Sequence, residues 1–260
     1  MTARLDGKIC VVTGAGGDIG LETVALMAAR GASIVAVDID AAGLARAKAR
    51  VGGAPFLGVE ADVTREAQVA NFVTRAKAEF GRIDVLFNNA GVEGGPSAAW
   101  RLTPDVSRSD FDRVFAVNVT GVFLGMKHVI PAMVEAGQGS IINTASVAGI
   151  RPGPGQIAYA ASKAAVMGMT RTAALEWGEK GVRVNCINPG PLEGRMMEQI
   201  VAGMAEHRPG GEPPGIRGDF IPMGRWGRPS EIAGVVVFLA SDASSFITGA
   251  LHPIDGGMTA

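Results

Sequence analysis

The stretch KICVVTGAGGDIG, residues 8–20, decides the fold. After Lys8 come five residues that are apolar or β-branched, which is the composition of a short buried strand. A glycine-rich turn follows, and apolar residues then recur at helical spacing at Ile19, Val24, Ala25, Met27 and Ala28. The pattern predicts a strand at 8–13, a tight turn and a helix that packs on a sheet.

The same unit recurs along the chain. Further strands are predicted at 33–38, 55–60, 83–88, 139–144, 182–188 and 251–255. Helical patterns begin near Thr64, Ser107, Gln156 and Pro229. Apolar strands that alternate with helices predict parallel pairing through crossover connections. We therefore predict an α/β fold, a single doubly wound domain over residues 1–260 with a parallel sheet of about seven strands and helices on both faces. Its ligands would bind at the carboxyl ends of the strands.

Composition argues against several classes of partner. The chain has 24 Lys and Arg against 25 Asp and Glu, so it has no broad field for nucleic acid or an acidic membrane. Cys10 and Cys186 lie far apart in apolar runs, which predicts reduced core thiols. The amino-terminal residues lack a signal-peptide core, and no apolar run reaches the roughly 18 residues of a membrane span. We expect no membrane partner and a cytoplasmic location.

The histidines do not predict a metal. His128, His207 and His252 show no spacing typical of metal ligands.

The turn Gly14–Gly20 predicts a dinucleotide site, because glycines let backbone amides approach a pyrophosphate at a helix N-terminus. The alternative is a tight turn in a glycine-rich protein.

Asp38 ends the second predicted strand, where its carboxylate would accept hydrogen bonds from the ribose hydroxyls and repel a 2′-phosphate. It could instead cap the next turn. Neither Gly17 nor Ile39 is basic, so NAD is favoured over NADP.

Tyr159 and Lys163 stand at i and i+4, on one face of a predicted helix. A nearby ammonium stabilises a phenolate, so Tyr159 could take the proton of an alcohol. The alternative is an accidental pair on a helix surface.

Several motifs together resemble the short-chain dehydrogenase/reductase family from Thr13 to Gly257. They are Asn88-Asn89-Ala90-Gly91, Asn118 in VNVTGVF, Ser146 in INTASVAG, Tyr159 with Lys163, Asn188-Pro189-Gly190, and Ile254-Asp255-Gly256-Gly257. The resemblance implies a Rossmann-type domain. The segments 89–94 and 111–133 are most similar to members that act on cyclic secondary alcohols or ketones.

The resemblance also implies roles for four residues. Tyr159 would be the general acid or base, and Lys163 would tune it and bind the nicotinamide ribose. Ser146 would polarise the substrate oxygen, and Asn118 would hold a water that links Lys163 to solvent. Both Ser146 and Asn118 could instead have a purely structural role. Ser146 could cap a helix, and Asn118 could bond to a backbone group of its own helix.

Cofactor contacts carried over by the resemblance, together with those argued above, come from the phosphate turn, the strand ends and the catalytic helix. They are Gly14, Asp18, Ile19, Gly20, Asp38, Asp62, Val63, Asn89, Ala90, Gly91, Tyr159, Lys163, Pro189, Gly190 and Leu192. Asn88 and Asn89 could instead only stabilise the exit of a central strand. Two positions depart from the family pattern: Asp18 replaces a glycine, and Gly194 stands where a threonine is common.

The substrate side is predicted at Ser146, Tyr159, Glu93 and Gln156, with a lid over about 191–225. The Pro- and Gly-rich part, 208–218, could instead be a solvated insertion.

The predicted function is NAD-dependent interconversion of a small-molecule alcohol and a ketone. A non-catalytic NAD(H) sensor and an epimerase or dehydratase are alternatives. The resemblance also implies a homotetramer.

Overall fold

Seven parallel strands form one sheet in the computed structural model of the chain, which describes residues 3–94, 101–195, 197–198 and 221–260. The strands are β1 Ile9–Thr13, β2 Ser33–Asp38, β3 Phe56–Glu60, β4 Val85–Asn88, β5 Gly139–Thr144, β6 Val182–Pro189 and β7 Leu251–Ile254. Their order across the sheet is β3-β2-β1-β4-β5-β6-β7, and every neighbouring pair is parallel. The strand order reverses between β1 and β4, where an α/β sheet opens a crevice for ligands.

Helices cover both faces of the sheet. In chain order they are α1 Asp18–Ala29, α2 Ala41–Arg50, α3 Glu66–Phe80, α4 Arg108–Phe115, α5 Gly121–Glu135, α6 Ile157–Trp177 and α7 Pro229–Ala240. Apolar side chains of α3, α5 and α6 form one core, and those of α1, α2 and α7 form the other. The predicted doubly wound α/β fold is confirmed.

Local signals placed the element boundaries within two residues. The helix predicted from Thr64 begins at Glu66, and the strand predicted from 83 begins at Val85. Ser107 caps α4 by accepting a hydrogen bond from the Asp110 amide. Both cysteines are buried free thiols, Cys10 in β1 and Cys186 in β6.

Helices α4 and α5 are joined by a π-helical segment, Ala116–Thr120, into one helix over 108–135. Within the described part of the chain, this helix alone is long and apolar enough to cross a membrane by length and composition. Half of its apolar window is buried in the protein, and α5 contributes nine buried residues. It is a core helix of this fold.

Part of the predicted lid, residues 196 and 199–220, lies outside the described residues, and so does its Pro- and Gly-rich segment 208–218.

Candidate active site

One cavity of about 1400 Å³ runs along the carboxyl ends of the strands. It brings together almost all of the predicted site residues, from the phosphate turn to α6 and the loop after β6. Among the predicted residues, Gly20 and Asn118 do not line it. Gly20 lets α1 approach the turn closely, since a Cβ there would lie 2.2 Å from the Gly14 carbonyl oxygen. Asn118 is completely buried and does not reach the surface of the cavity.

The phosphate turn is shaped to receive an anion. Gly14 has a φ of +62°, and a Cβ at this position would lie 2.9 Å from the Cα of Ala90. The N-cap of α1 is Gly17, so no side chain caps the first turn of this helix. Its leading amides therefore face the cavity with the positive end of the helix dipole, and the turn fits the predicted pyrophosphate.

Asp38 ties the second strand to this turn. One carboxylate oxygen accepts the Gly16 amide at 2.8 Å, and the other accepts the Asp40 amide at 2.9 Å. The alternative role, a cap for the next turn, is thus present. It does not exclude ribose binding, because each carboxylate oxygen can accept more than one hydrogen bond and Asp38 lines the cavity.

Thr13 supports the site without lining the cavity, and in the sequence it is only the first residue of the family resemblance. Its hydroxyl oxygen accepts the amides of Asn89 at 3.0 Å and Ala90 at 3.1 Å. The Asn89 side chain donates in return to the carbonyl oxygens of Thr13 and Gly14, each at 3.1 Å. These bonds fasten the exit of β4 to the phosphate turn. Asn88 points the other way and donates to Asn143 at 2.9 Å.

On the adenosine side, Asp62 and Val63 line the cavity after β3. The Asp62 carboxylate accepts both the amide and the hydroxyl of Thr64, which fixes the turn into α3.

Asn118 lies in the π-helical segment and clamps the loop after β4. Its side-chain oxygen accepts the Val92 amide at 2.8 Å, and its side-chain nitrogen donates to the Val92 carbonyl at 2.8 Å and the Ser162 hydroxyl at 3.0 Å. The partners therefore lie in the neighbouring loop and in α6, not in the helix of Asn118 itself. The predicted water relay stays a prediction.

Ser146 caps a short helical turn by accepting the Ala148 amide at 3.2 Å. This bond uses an oxygen lone pair and leaves the hydroxyl proton free to be donated. The side chain of Asn188, at the end of β6, donates to the Ser146 carbonyl at 3.2 Å and steadies the residue. The capping alternative and the predicted polarising role are therefore compatible.

Tyr159 and Lys163 lie on α6 with the lysine Nζ 5.5 Å from the centre of the phenol ring. The ammonium donates to the Thr144 carbonyl at 2.8 Å, and burial lowers its pKa to about 8. Burial raises the pKa of the Tyr159 phenol, the charge of Glu93 raises it further, and the Ser146 hydroxyl opposes the shift. At neutral pH Tyr159 is thus a neutral phenol that can donate a proton.

Glu93 and Gln156 supply polar groups on the predicted substrate side. Glu93 lines the cavity, and burial raises the pKa of its carboxyl to about 7. Within the described residues it has no hydrogen bond or ion pair. The Gln156 side-chain oxygen accepts the Gly153 amide at 3.3 Å, which leaves its amino group available to a ligand.

The two departures from the family pattern meet in space. A Cβ at Gly194 would lie 2.5 Å from an Asp18 carboxylate oxygen, and that same oxygen accepts the Arg195 amide at 3.0 Å. Asp18 and Arg195 are 177 positions apart in the chain, and no sequence signal pairs them.

Over residues 3–94, 101–195, 197–198 and 221–260, no group of His, Cys, Asp or Glu side chains is arranged to hold a metal ion. That no metal takes part stays a prediction.

Comparison with known proteins gives full-length matches. The sequence model described as "Enoyl-(Acyl carrier protein) reductase" matches residues 14–259. The chain is 40% identical to levodione reductase of Leifsonia aquatica, over 100% of this chain and 97% of that one. It is 39% identical to cis-4-hydroxycyclohexanecarboxylate dehydrogenase of Sinomonas cyclohexanicum, over 97% of each.

A solved structure agrees with these matches. NAD+-bound xylitol dehydrogenase superposes with a TM-score of 0.90 at 38% identity, over 98% of this chain and 100% of that one. The motifs, the fold and the full-length relatives agree, and the chain belongs to the short-chain dehydrogenase/reductase family of oxidoreductase enzymes.

Proposed function

We propose that this enzyme interconverts a secondary alcohol, cyclic in the natural substrate, and the corresponding ketone, with NAD as its cofactor. The observation that carries the proposal is the single cavity whose one end is the phosphate turn with Asp38 and whose other end is Ser146, Tyr159 and Lys163. The relative named cis-4-hydroxycyclohexanecarboxylate dehydrogenase, whose name contains a cyclohexane ring, supports the substrate class.

NAD supplies the hydride acceptor for alcohol oxidation, or as NADH the donor for ketone reduction. Asp38 favours NAD over NADP, because a 2′-phosphate would meet its carboxylate at the edge of the cavity. The neighbouring Ile39 is exposed and apolar and offers such a phosphate no cation.

Tyr159 moves the proton. In ketone reduction the neutral phenol donates its proton to the oxygen that accepts negative charge, while Ser146 donates a hydrogen bond to the same oxygen. In alcohol oxidation the phenolate must form first, so the raised pKa of Tyr159 predicts that oxidation accelerates as the pH rises. Lys163, held by Thr144 beside the ring, provides the positive charge that stabilises this phenolate.

Glu93 and Gln156 would recognise polar groups of the substrate away from the reacting carbon. A carboxyl with a pKa of about 7 can accept or donate a hydrogen bond near neutral pH, which suits a second hydroxyl or carbonyl.

The test follows NADH absorbance with a panel of cyclic and open-chain secondary alcohols, with NAD and with NADP. We expect turnover with NAD and a cyclic alcohol, and loss of at least about a thousandfold in kcat for Tyr159→Phe. Equal turnover by Tyr159→Phe would refute the proton role, and equal use of NADP would refute the cofactor. NAD binding without net NADH would point to a sensor, or to an epimerase or dehydratase.

We also propose a cytoplasmic homotetramer. Large apolar side chains are exposed on the outer surfaces of α5 and α6 and before β7, at Phe123, Leu175 and Phe246. Burial of these side chains between subunits would remove apolar surface from water. Light scattering should give four times the mass of the chain, and a stable monomer would contradict the assembly.

A further inference from the structure

Asp18 holds the loop after β6 against the start of α1. Its carboxylate accepts the Arg195 amide at 3.0 Å and lies 3.7 Å from the Arg195 Nε. Gly194 makes this contact possible, because it has a φ of +131° and any Cβ would lie 2.5 Å from the bonded oxygen. A Cβ this close would force the carboxylate oxygen out of the position in which it accepts the Arg195 amide.

The negative charge of Asp18 lies in the first turn of α1, beside the phosphate turn. The start of α1 attracts an anionic ligand through its free amides and its dipole, and a lone carboxylate there would repel a pyrophosphate. Arg195 lines the cavity, and its side chain is 63% exposed, so its guanidinium can reach a ligand while it stays beside Asp18.

The other cations that line the described cavity are held elsewhere. Lys163 donates to the Thr144 carbonyl, Arg113 to the Gly94 carbonyl and Arg151 to the Met258 carbonyl. Among the described lining residues, Arg195 is therefore the cation placed at the phosphate turn.

We propose that Arg195 binds the pyrophosphate of the cofactor and that Asp18 is the positioning residue that orients it. The inference rests on the proposed dinucleotide cofactor. Asp18 thus contributes to cofactor binding in spite of its negative charge: it fixes the backbone of Arg195 and delivers a guanidinium, which can bond two phosphate oxygens at once.

Equilibrium binding of ADP-ribose tests the proposal without turnover. Calorimetry at low salt should show Arg195→Met weakening ADP-ribose about tenfold, the effect of one charge-assisted hydrogen bond. The difference from wild type should shrink at high salt, because the contact is partly exposed. Arg50→Met is the matched control, since Arg50 pairs with another α1 carboxylate, Glu22, outside the cavity.

The effect of Asp18→Ala has a sign that separates two interpretations. A positioning role predicts binding about threefold weaker than wild type. If Asp18 only repels the phosphates, its removal would tighten ADP-ribose binding and overturn the proposal. Unchanged binding by Arg195→Met would overturn it as well.

Gly194→Ala completes a double-mutant cycle. The added Cβ should displace the Asp18 carboxylate, so Gly194→Ala and Asp18→Ala break the same contact. We expect the double variant to bind ADP-ribose no more weakly than the worse single variant, whereas additive losses would contradict the contact. Thermal unfolding of each variant checks folding. Wild type that fails to bind ADP-ribose would instead refute the proposed cofactor.

Discussion

Replacement of Glu93 tests whether the cavity contains a buried carboxyl with a raised pKa. Burial raises the pKa of its carboxyl from its ordinary value near 4.5 to about 7. The side chain is partly buried, and within the described residues no cation pairs with it. The neutral form is therefore favoured in the folded protein, and ionisation costs stability.

The sign and size of the effect follow from linkage. Well below pH 4.5 the carboxyl is protonated in both the folded and the unfolded chain. Ionisation of Glu93 then takes nothing from the free energy of unfolding, and the stability that depends on the neutral carboxyl is fully present. Between pH 4.5 and pH 7 the unfolded chain loses its proton first, and this stability is lost as the pH rises. The pKa difference corresponds to up to about 3 kcal/mol in the free energy of unfolding. The side-chain amide of the variant Glu93→Gln cannot ionise, so the variant should lack this slope.

The assay is urea unfolding of wild type and Glu93→Gln from about pH 5 to about pH 8.5, at one protein concentration. Because other titrating groups are shared, the difference between the two proteins isolates residue 93. We expect wild type to lose about 2 to 3 kcal/mol more than the variant over this range. Parallel curves would show that the carboxyl is well solvated and would refute the argument. Glu79→Gln is a matched control on the exposed surface of α3.

Three further predictions concern residues that shape the site, one of them with a control variant. Asn118→Ala leaves the Val92 amide and carbonyl unpaired, and we expect a loss of about 2 to 4 kcal/mol in urea unfolding; a loss near zero would contradict the clamp. Gly20→Ala places a Cβ 2.2 Å from the Gly14 carbonyl and should lower Tm by several degrees. Gly17→Ala, whose Cβ would lie 3.5 Å from that oxygen, should leave Tm nearly unchanged, so equal shifts would refute the steric argument. Asp38→Asn removes the charge that faces a 2′-phosphate and should raise the ratio of kcat/KM for NADP over NAD about tenfold, and an unchanged ratio would contradict the proposed role.

The sequence predicted the parts of the fold and site that local signals encode. The seven strands were visible because each is a short apolar run that ends at a turn, and Ser107 and Pro229 marked helix starts through capping and N1 preferences. Tyr159 and Lys163 could be paired because a helix brings i and i+4 together.

Other features depend on which strands become neighbours. Thr13 bonds to Asn89 because β1 and β4 are adjacent in the sheet, although 76 residues separate the two along the chain. Asp18 meets Arg195 because the loops after β1 and β6 reach the same edge. The π-helical segment at Ala116–Thr120 was also not predicted, since it contains no proline or glycine to mark it.

Asn118 connects the predicted and the unpredicted parts of the site. Its side chain holds both backbone polar groups of Val92, and the next residue is Glu93, whose carboxyl lines the cavity and whose charge adds to the rise that burial causes in the pKa of Tyr159. The third bond of Asn118 goes to Ser162, whose neighbour in the chain is Lys163. One buried amide thus holds the backbone of Val92, the neighbour of Glu93, and the hydroxyl of Ser162, the neighbour of Lys163. Burial and the charge of Glu93 raise the pKa of Tyr159, the proposed general acid or base, and a π-helical turn, which is often found at functional sites, places the amide that holds the loop of Glu93.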